Sequence, residues 1–257
     1  MPINEVFPNP TVKQVVFQVC YPNLFYIENK IGDIQLKLMK EFPESALVFR
    51  QRILLADMGS DVKIEKEFGK KSEEAATKIW QFESPNNYKL HILSDSLDIS
   101  STLHKTYNNP ASDFRFRDII ELVLNSFFEV TQIPIIKRIG LRYIDECPIP
   151  EKTNKAFKEY YKTTLPLARF KLEDAKEMTF RTVVKRGDYF LTFVESLTKI
   201  NDEYKLILDF DGFKENINPV DCLEVSDRLH DLISKEYSKT LKKPVYEYMR
   251  KEPRKKK

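Results

Sequence analysis

Two arginines flank a glycine in the run Ile135–Pro150, which reads I-I-K-R-I-G-L-R-Y-I-D-E-C-P-I-P. Successive side chains of a strand point to opposite faces, so Arg138, Gly140 and Arg142 are predicted to share one face. A glycine lets a ligand approach the backbone, and guanidinium groups bind carboxylates and phosphates. The pattern therefore predicts an anion-binding cradle. The alternative is that both arginines pair with carboxylates of neighbouring strands, while Gly140 accommodates a bulge or a crossing helix.

Two more basic residues, Arg181 and Lys185, lie in or just after the predicted strand Met178–Val184. If they converge with Arg138 and Arg142 beside an aromatic platform, the face would suit single-stranded RNA or DNA. An aromatic surface of mixed charge also suits recognition of a protein. The aromatic residues available in this part of the chain are Phe180, Tyr189, Phe190, Phe193 and Tyr204.

Acidic residues offer a second kind of chemistry at Asp209 and Asp211, which share a strand face. Such a pair can hold a divalent cation or serve in general acid–base catalysis. The alternative is that Asp211 caps a turn at Asp211-Gly212, because aspartate followed by glycine is typical of turns.

Three histidines, His91, His104 and His230, are the only ones in the chain, and none has zinc-ligand spacing to another. Each is interpreted as a core or half-exposed residue bonded to backbone. The alternative is that two of them meet in space as the acid–base pair of a metal-independent ribonuclease.

Several enzyme classes are disfavoured by the composition. The chain has only six glycines and contains no dinucleotide-binding, P-loop or nucleophile-elbow motif. Cys20, Cys147 and Cys222 are far apart and are interpreted as small apolar residues. We predict no metal and no cofactor.

Charge and hydropathy indicate a globular protein without a strong electrostatic signature. The 257 residues carry 42 basic and 39 acidic side chains, a net charge of +3, with 42% hydrophobic residues. Unpaired cysteines and the lack of a signal peptide or a long apolar stretch predict a soluble, cytoplasmic protein that does not enter a membrane.

The order of predicted elements repeats along the chain. Each half reads strand, helix, about three strands and a long helix, which predicts an α+β fold built of two related β-α-β-β-β-α halves. Such units can join into one curved antiparallel sheet with the helices on one side, by analogy with the saddle of TATA-binding-protein-like folds. The predicted boundaries are residues 1–133 and 134–243, followed by a solvated basic tail at 244–257 that can touch phosphates.

The run Arg138–Asp145, R-I-G-L-R-Y-I-D, resembles the strand motif R-I-G-L-R-Y-I-[ND] of a sporadically distributed, functionally uncharacterised prokaryotic family. Phe42-Pro43 after the first helix, the L-D-F-D of Leu208–Asp211 and the R-L-H of Arg228–His230 are similar as well. That family usually has asparagine where this chain has Asp145. The resemblance implies a prokaryotic protein of mobile or antiviral defence genes, and it implies no particular activity.

These observations predict a non-enzymatic accessory protein that binds another macromolecule, most simply a protein. Its predicted binding residues are Arg138, Gly140, Arg142, Arg181 and Lys185. One alternative is a protein that binds RNA or DNA, or a ribonuclease, acting through the basic sheet face. The other is a metal-dependent enzyme centred on Asp209 and Asp211.

Overall fold

The computed structural model describes residues 5–51, 76–113, 115–200 and 203–252. The first half of the chain contains β1 (Val12–Cys20), a 3-10 turn (Ile27–Lys30), α1 (Ile31–Leu38), β2 (Glu44–Gln51), β3 (Ala76–Glu83), β4 (Tyr88–Ile92), β5 (Ser96–Ser101) and α2 (Phe116–Thr131). The second half contains β6 (Ile136–Pro148), α3 (Asn154–Tyr160), β7 (Met178–Arg186), β8 (Tyr189–Ile200), β9 (Glu203–Ile217), a 3-10 turn (Pro219–Asp221), α4 (Cys222–Thr240) and α5 (Lys243–Met249). The predicted α+β class is confirmed.

The nine strands of the described residues form one sheet in the order β2-β3-β4-β5-β1-β6-β9-β8-β7, and every neighbouring pair is antiparallel. The first strand of each half lies at the centre, where β1 pairs with β6. Each of these two strands has the last strand of its own half on its other side. The halves therefore join through their first strands, while their common origin by duplication stays a prediction.

Alternation along the strands separates a covered face from an open face. On β1, Val15, Phe17 and Val19 are fully buried, and their neighbours in sequence are not. The long helices pack on the covered face: the ring of Phe127 on α2 contacts that of Tyr21, with centroids 5.1 Å apart. One core cluster takes side chains from both halves of the chain.

Capping residues mark the start of two helical segments and the end of a third. Before α4, the Asn218 side chain accepts a hydrogen bond from the Val220 amide, as an N-cap does. Thr153 accepts in the same way from Ala156 before α3. At the end of α2, Gln132 adopts the left-handed conformation with a φ of 49°, which releases the chain from the helix.

Three sequence predictions need correction. Among its described residues, the first half has four strands after its first helix, β2 to β5, rather than about three. Asp211-Gly212 is not a turn, because both residues lie inside β9. Residues 244–249 are not a solvated tail, because they belong to α5, which buries Val245 and Met249 against the core, whereas residues 250–252 are exposed. Residues 253–257 of the predicted tail lie outside the described residues.

Candidate functional site

The residues predicted to bind a partner all lie on the open face of the sheet. Arg138, Gly140 and Arg142 alternate with Ile139, Leu141 and Tyr143, which are buried on the covered face, so the predicted alternation is confirmed. On β7, Arg181 is opposite Val194 and Lys185 is opposite Phe190. These two basic residues are exposed and share the face of Phe190.

Arg138 lies flat over Gly140. Its guanidinium donates hydrogen bonds to both carboxylate oxygens of Asp211, at 3.1 and 3.0 Å, and to Gln18 Oε1 at 3.2 Å. A Cβ at position 140 would stand 2.5 Å from Arg138 Nη1, so only glycine leaves room for this arrangement. The guanidinium carbon also lies 4.7 Å from the ring centre of Phe213, a cation–π contact.

Arg142 makes a second ion pair on the same face. Its Nε and Nη2 donate to the two carboxylate oxygens of Asp209 at 2.8 and 2.6 Å. Hydrogen bonding to Asp209 raises the pKa of the Arg142 guanidinium above its usual value. Burial raises the pKa of Asp211, against the opposing attraction of Arg138. Both arginines thus have carboxylate partners within the chain, the arrangement expected if they are structural.

The two ion pairs also occupy the carboxylates that the sequence suggested as metal ligands. Asp209 and Asp211 each accept two hydrogen bonds from an arginine. Within residues 5–51, 76–113, 115–200 and 203–252, no three His, Cys, Asp or Glu side chains are grouped to hold a metal ion.

Two stacked phenylalanines continue the open face toward the sheet edge. The rings of Phe190 and Phe213 are 5.1 Å apart and nearly parallel, and Lys185 Nζ lies 5.9 Å from the centre of Phe190. We call Arg138, Phe213, Phe190 and Lys185 the open-face patch. It brings together residues of four neighbouring strands, β6, β9, β8 and β7.

A cavity of about 560 Å³ lies on the covered side of the sheet. Side chains of the segment before β1, the loop between β5 and α2, strand β6 and helices α4 and α5 surround it. Its polar and aromatic lining includes Phe7, Thr11, His104, Tyr107, Tyr143, Asp145, His230 and Tyr237. A concave site of this size with a few convergent polar groups is typical of small-molecule binding.

Two histidines and two tyrosines form one wall of the cavity. The Tyr107 and His230 rings are stacked with their centres 4.2 Å apart, and Tyr143 Oη is 3.1 Å from His230 Nδ1. The ring centres of His104 and Tyr143 are 5.4 Å apart, and the two ring planes meet at 73°. Burial among these rings lowers the pKa of His104 to about 3 and that of His230 to about 4, so both imidazoles are neutral at pH 7.

A hydrogen-bonded chain ends on a buried carboxyl at the inner end of the cavity. Thr11 Oγ1 donates to Asp145 Oδ1 at 2.7 Å, and Tyr237 Oη lies 2.5 Å from the same threonine oxygen. Asp145 is only 1% exposed. Burial raises its pKa to about 7, although Thr11 and Tyr237 act in the opposite direction.

The sequence contained partial signals for this cavity. His104 and His230 both contact Tyr143, and His230 contributes to the low pKa of His104. That the two form an acid–base pair stays a prediction. In the sequence, Asp145 was noted only as the last position of the motif Arg138–Asp145. A stronger signal was its place on the apolar face of β6, since an acidic residue there must be buried and bonded. No sequence pattern indicated that Thr11 and Tyr237 belong to this cavity, because the hydrogen bonds of Thr11 with Asp145 and Tyr237 join residues more than a hundred positions apart along the chain.

Comparisons with protein-family models, with curated proteins and with solved structures found no match. Among the described parts of the chain, no helix is long and apolar enough to cross a membrane.

Proposed function

We propose that the protein is a non-enzymatic accessory protein that binds a protein partner through the open face of its second half. The open-face patch is the observation that carries this proposal. It combines stacked aromatic rings with cations at both ends, on a sheet face opposite to the packed helices. Aromatic residues and arginine are enriched in protein interfaces.

The charge pattern favours a protein over a nucleic acid. Asp209 and Asp211 neutralise Arg142 and Arg138, and the carboxylates would repel a phosphate backbone. Arg181 and Lys185 are exposed cations on the edge strand β7. Val183 lies between them on the same face and is 48% exposed. A partner with carboxylates opposite the two cations and an apolar side chain opposite Val183 fits this strand best.

Copurification from the native host, followed by binding measurements with the purified partner, tests the proposal. Charge reversal in Arg181→Glu/Lys185→Glu should weaken that binding by at least about tenfold, the effect of losing roughly 1.4 kcal/mol. The matched control is Arg228→Glu/Lys235→Glu, which makes the same charge change on exposed positions of α4. Equal loss in both variants would contradict the assignment to the open face.

The kind of partner is a second outcome of the same experiment. A complex rich in material absorbing at 260 nm that dissociates in high salt would identify a nucleic acid. It would favour the alternative in which the face binds RNA or DNA. A protein partner whose affinity depends on Arg181 and Lys185 supports the proposal.

A further inference from the structure

The cavity beneath the sheet contains the carboxyl group of Asp145. Asp145 is almost completely buried, and its hydrogen-bond partners are hydroxyl groups. Among the residues that the structure describes, no lysine, arginine or histidine forms an ion pair with it. A buried carboxylate without a cation is costly, so a cationic ligand would find favourable electrostatics here.

The walls of the cavity suit a cation as well. The rings of Tyr107, His230 and Tyr143 form one cluster in the lining of the cavity, which Asp145 also lines. Tyr143 and Asp145 lie on the same face of β6, and Tyr237 completes the hydrogen-bonded chain. Burial raises the pKa of all three tyrosines, so their rings are neutral phenols at pH 7. Neutral aromatic faces attract ammonium groups, and the attraction strengthens when water is excluded.

Two other charged residues line the cavity, and they are either paired or exposed. Glu5 is neutralised by Arg250, which donates to both of its carboxylate oxygens at 2.7 Å. Lys105 lines the cavity but is an exposed residue. An anionic ligand would therefore meet the Asp145 carboxylate without a buried cation to offset the repulsion.

The size of the cavity sets the size of the ligand. About 560 Å³ is within the range of sites for small organic molecules and exceeds what a bare inorganic cation needs. His104 makes ring contacts with Phe116 and Tyr143, and no hydrogen bond of its ring nitrogens occurs within the described ranges. Its imidazole is thus available to bond a polar group on the body of the ligand.

We propose that this cavity binds a small organic cation, an amine or quaternary ammonium group on an aromatic body, with Asp145 as its counter-ion. The aromatic body would lie among Tyr107, Tyr143 and His230. This inference is independent of the proposed function, because the cavity and the open-face patch are on opposite sides of the sheet.

Calorimetric titration of the full chain with three probes of equal shape tests the proposal. At pH 8 the probes are phenethylamine (cationic), 2-phenylethanol (neutral) and phenylacetate (anionic). We expect phenethylamine to bind at least about tenfold more tightly than 2-phenylethanol, as the gain from one buried charge contact requires. Phenylacetate should bind most weakly. No saturable binding of the amine, or equal affinity for all three probes, overturns the proposal without the use of any variant.

Variants then locate the counter-ion. Asp145→Asn keeps an oxygen that accepts from Thr11 but removes the charge, so the preference for the amine over the alcohol should fall to within about twofold. The matched control is Asp98→Asn, which removes a carboxylate bonded to His91 on the open face. An unchanged preference in Asp145→Asn, or an equal loss in Asp98→Asn, would show that Asp145 is not the counter-ion.

Discussion

At the scale of single residues, Gly140 on the open face has no side chain and thereby leaves space for the side chain of Arg138. Gly140 is not at a bulge, because its pairing with Gln18 and Phe213 keeps the strand register. It provides the space in which the Arg138 guanidinium reaches Asp211, Gln18 and Phe213. Any side chain at position 140 has to displace the flexible end of Arg138, so the cost of a substitution is the loss of the contacts of that arginine.

A double-mutant cycle tests this role of Gly140. Gly140→Ala should lower the free energy of unfolding by about 1 kcal/mol, the usual size of a partly buried charge-assisted contact. In an Arg138→Ala background the same change should be neutral or stabilising, because alanine costs less conformational entropy than glycine in a strand. Urea denaturation measures both. Gly32→Ala, where a Cβ meets nothing within 4 Å, is the control. An equal cost of Gly140→Ala in both backgrounds would contradict the explanation.

Asp145 should impose a pH dependence on stability. Its pKa is raised from 3.8 to about 7 in the folded chain, so the folded state holds a proton that the unfolded state releases between these values. The contribution of Asp145 to stability is therefore fully present below about pH 4. It falls as the pH rises through 7, by up to about 1.4 kcal/mol per unit, and is then constant.

Asp145→Asn should remove this slope while keeping the bond from Thr11. The variant should gain stability relative to the natural chain between pH 5 and 8, which urea unfolding at four pH values would show. Asp231→Asn, an exposed position on α4, controls for general charge effects. Parallel pH profiles for the natural chain and Asp145→Asn would mean that this carboxyl does not titrate in the range.

At the scale of elements, α5 is part of the core rather than an appendage. Its Val245 and Met249 are buried, and the Met249 carbonyl accepts from the Asn9 amide. The helix thereby fixes the segment before β1, which supplies Thr11 to the cavity. Stability and the geometry of the cavity should therefore both depend on α5.

Shortening a buried side chain of α5 measures that dependence. Val245→Ala should lower the free energy of unfolding by about 1–3 kcal/mol, from lost burial and the cavity that remains. Val220→Ala, at a valine that is 83% exposed before α4, should change it by less than about 0.5 kcal/mol. Similar effects of the two substitutions in thermal denaturation would show that α5 is not docked.

At the scale of the whole molecule, the two halves should unfold together. They share one sheet through the β1–β6 pairing and one core cluster, so neither half keeps its central strand covered without the other. Trp80, the single tryptophan, lies on β3 of the first half and reports on that half alone.

A core substitution in the second half tests this cooperativity. Leu229→Ala on α4 should shift the midpoint of Trp80 fluorescence and that of far-UV circular dichroism by the same amount. Leu36→Ala, at an exposed leucine of α1, is the control and should move neither midpoint. Separate transitions for the two probes would show that residues 1–133 and 134–243 unfold as independent domains.

Local patterns were sufficient for much of this architecture. The order of predicted elements placed a long helix at the end of each half, and the structure has α2 and α4 there. Alternation along β6 predicted which residues face away from the helices. These features depend on neighbours within a few residues, where side-chain spacing and capping chemistry act directly.

Only the tertiary structure decided how distant segments meet. Asp211-Gly212 looked like a turn because its local chemistry is that of a turn, yet Leu229 and Ile233 of α4 pack where a side chain at position 212 would stand. The cavity depends on contacts of the same kind, such as Thr11 with Asp145, 134 residues apart. Such contacts follow from strand order and from the docking of helices on the sheet. No local propensity encodes them, because their energy arises only after the chain has brought the partners together.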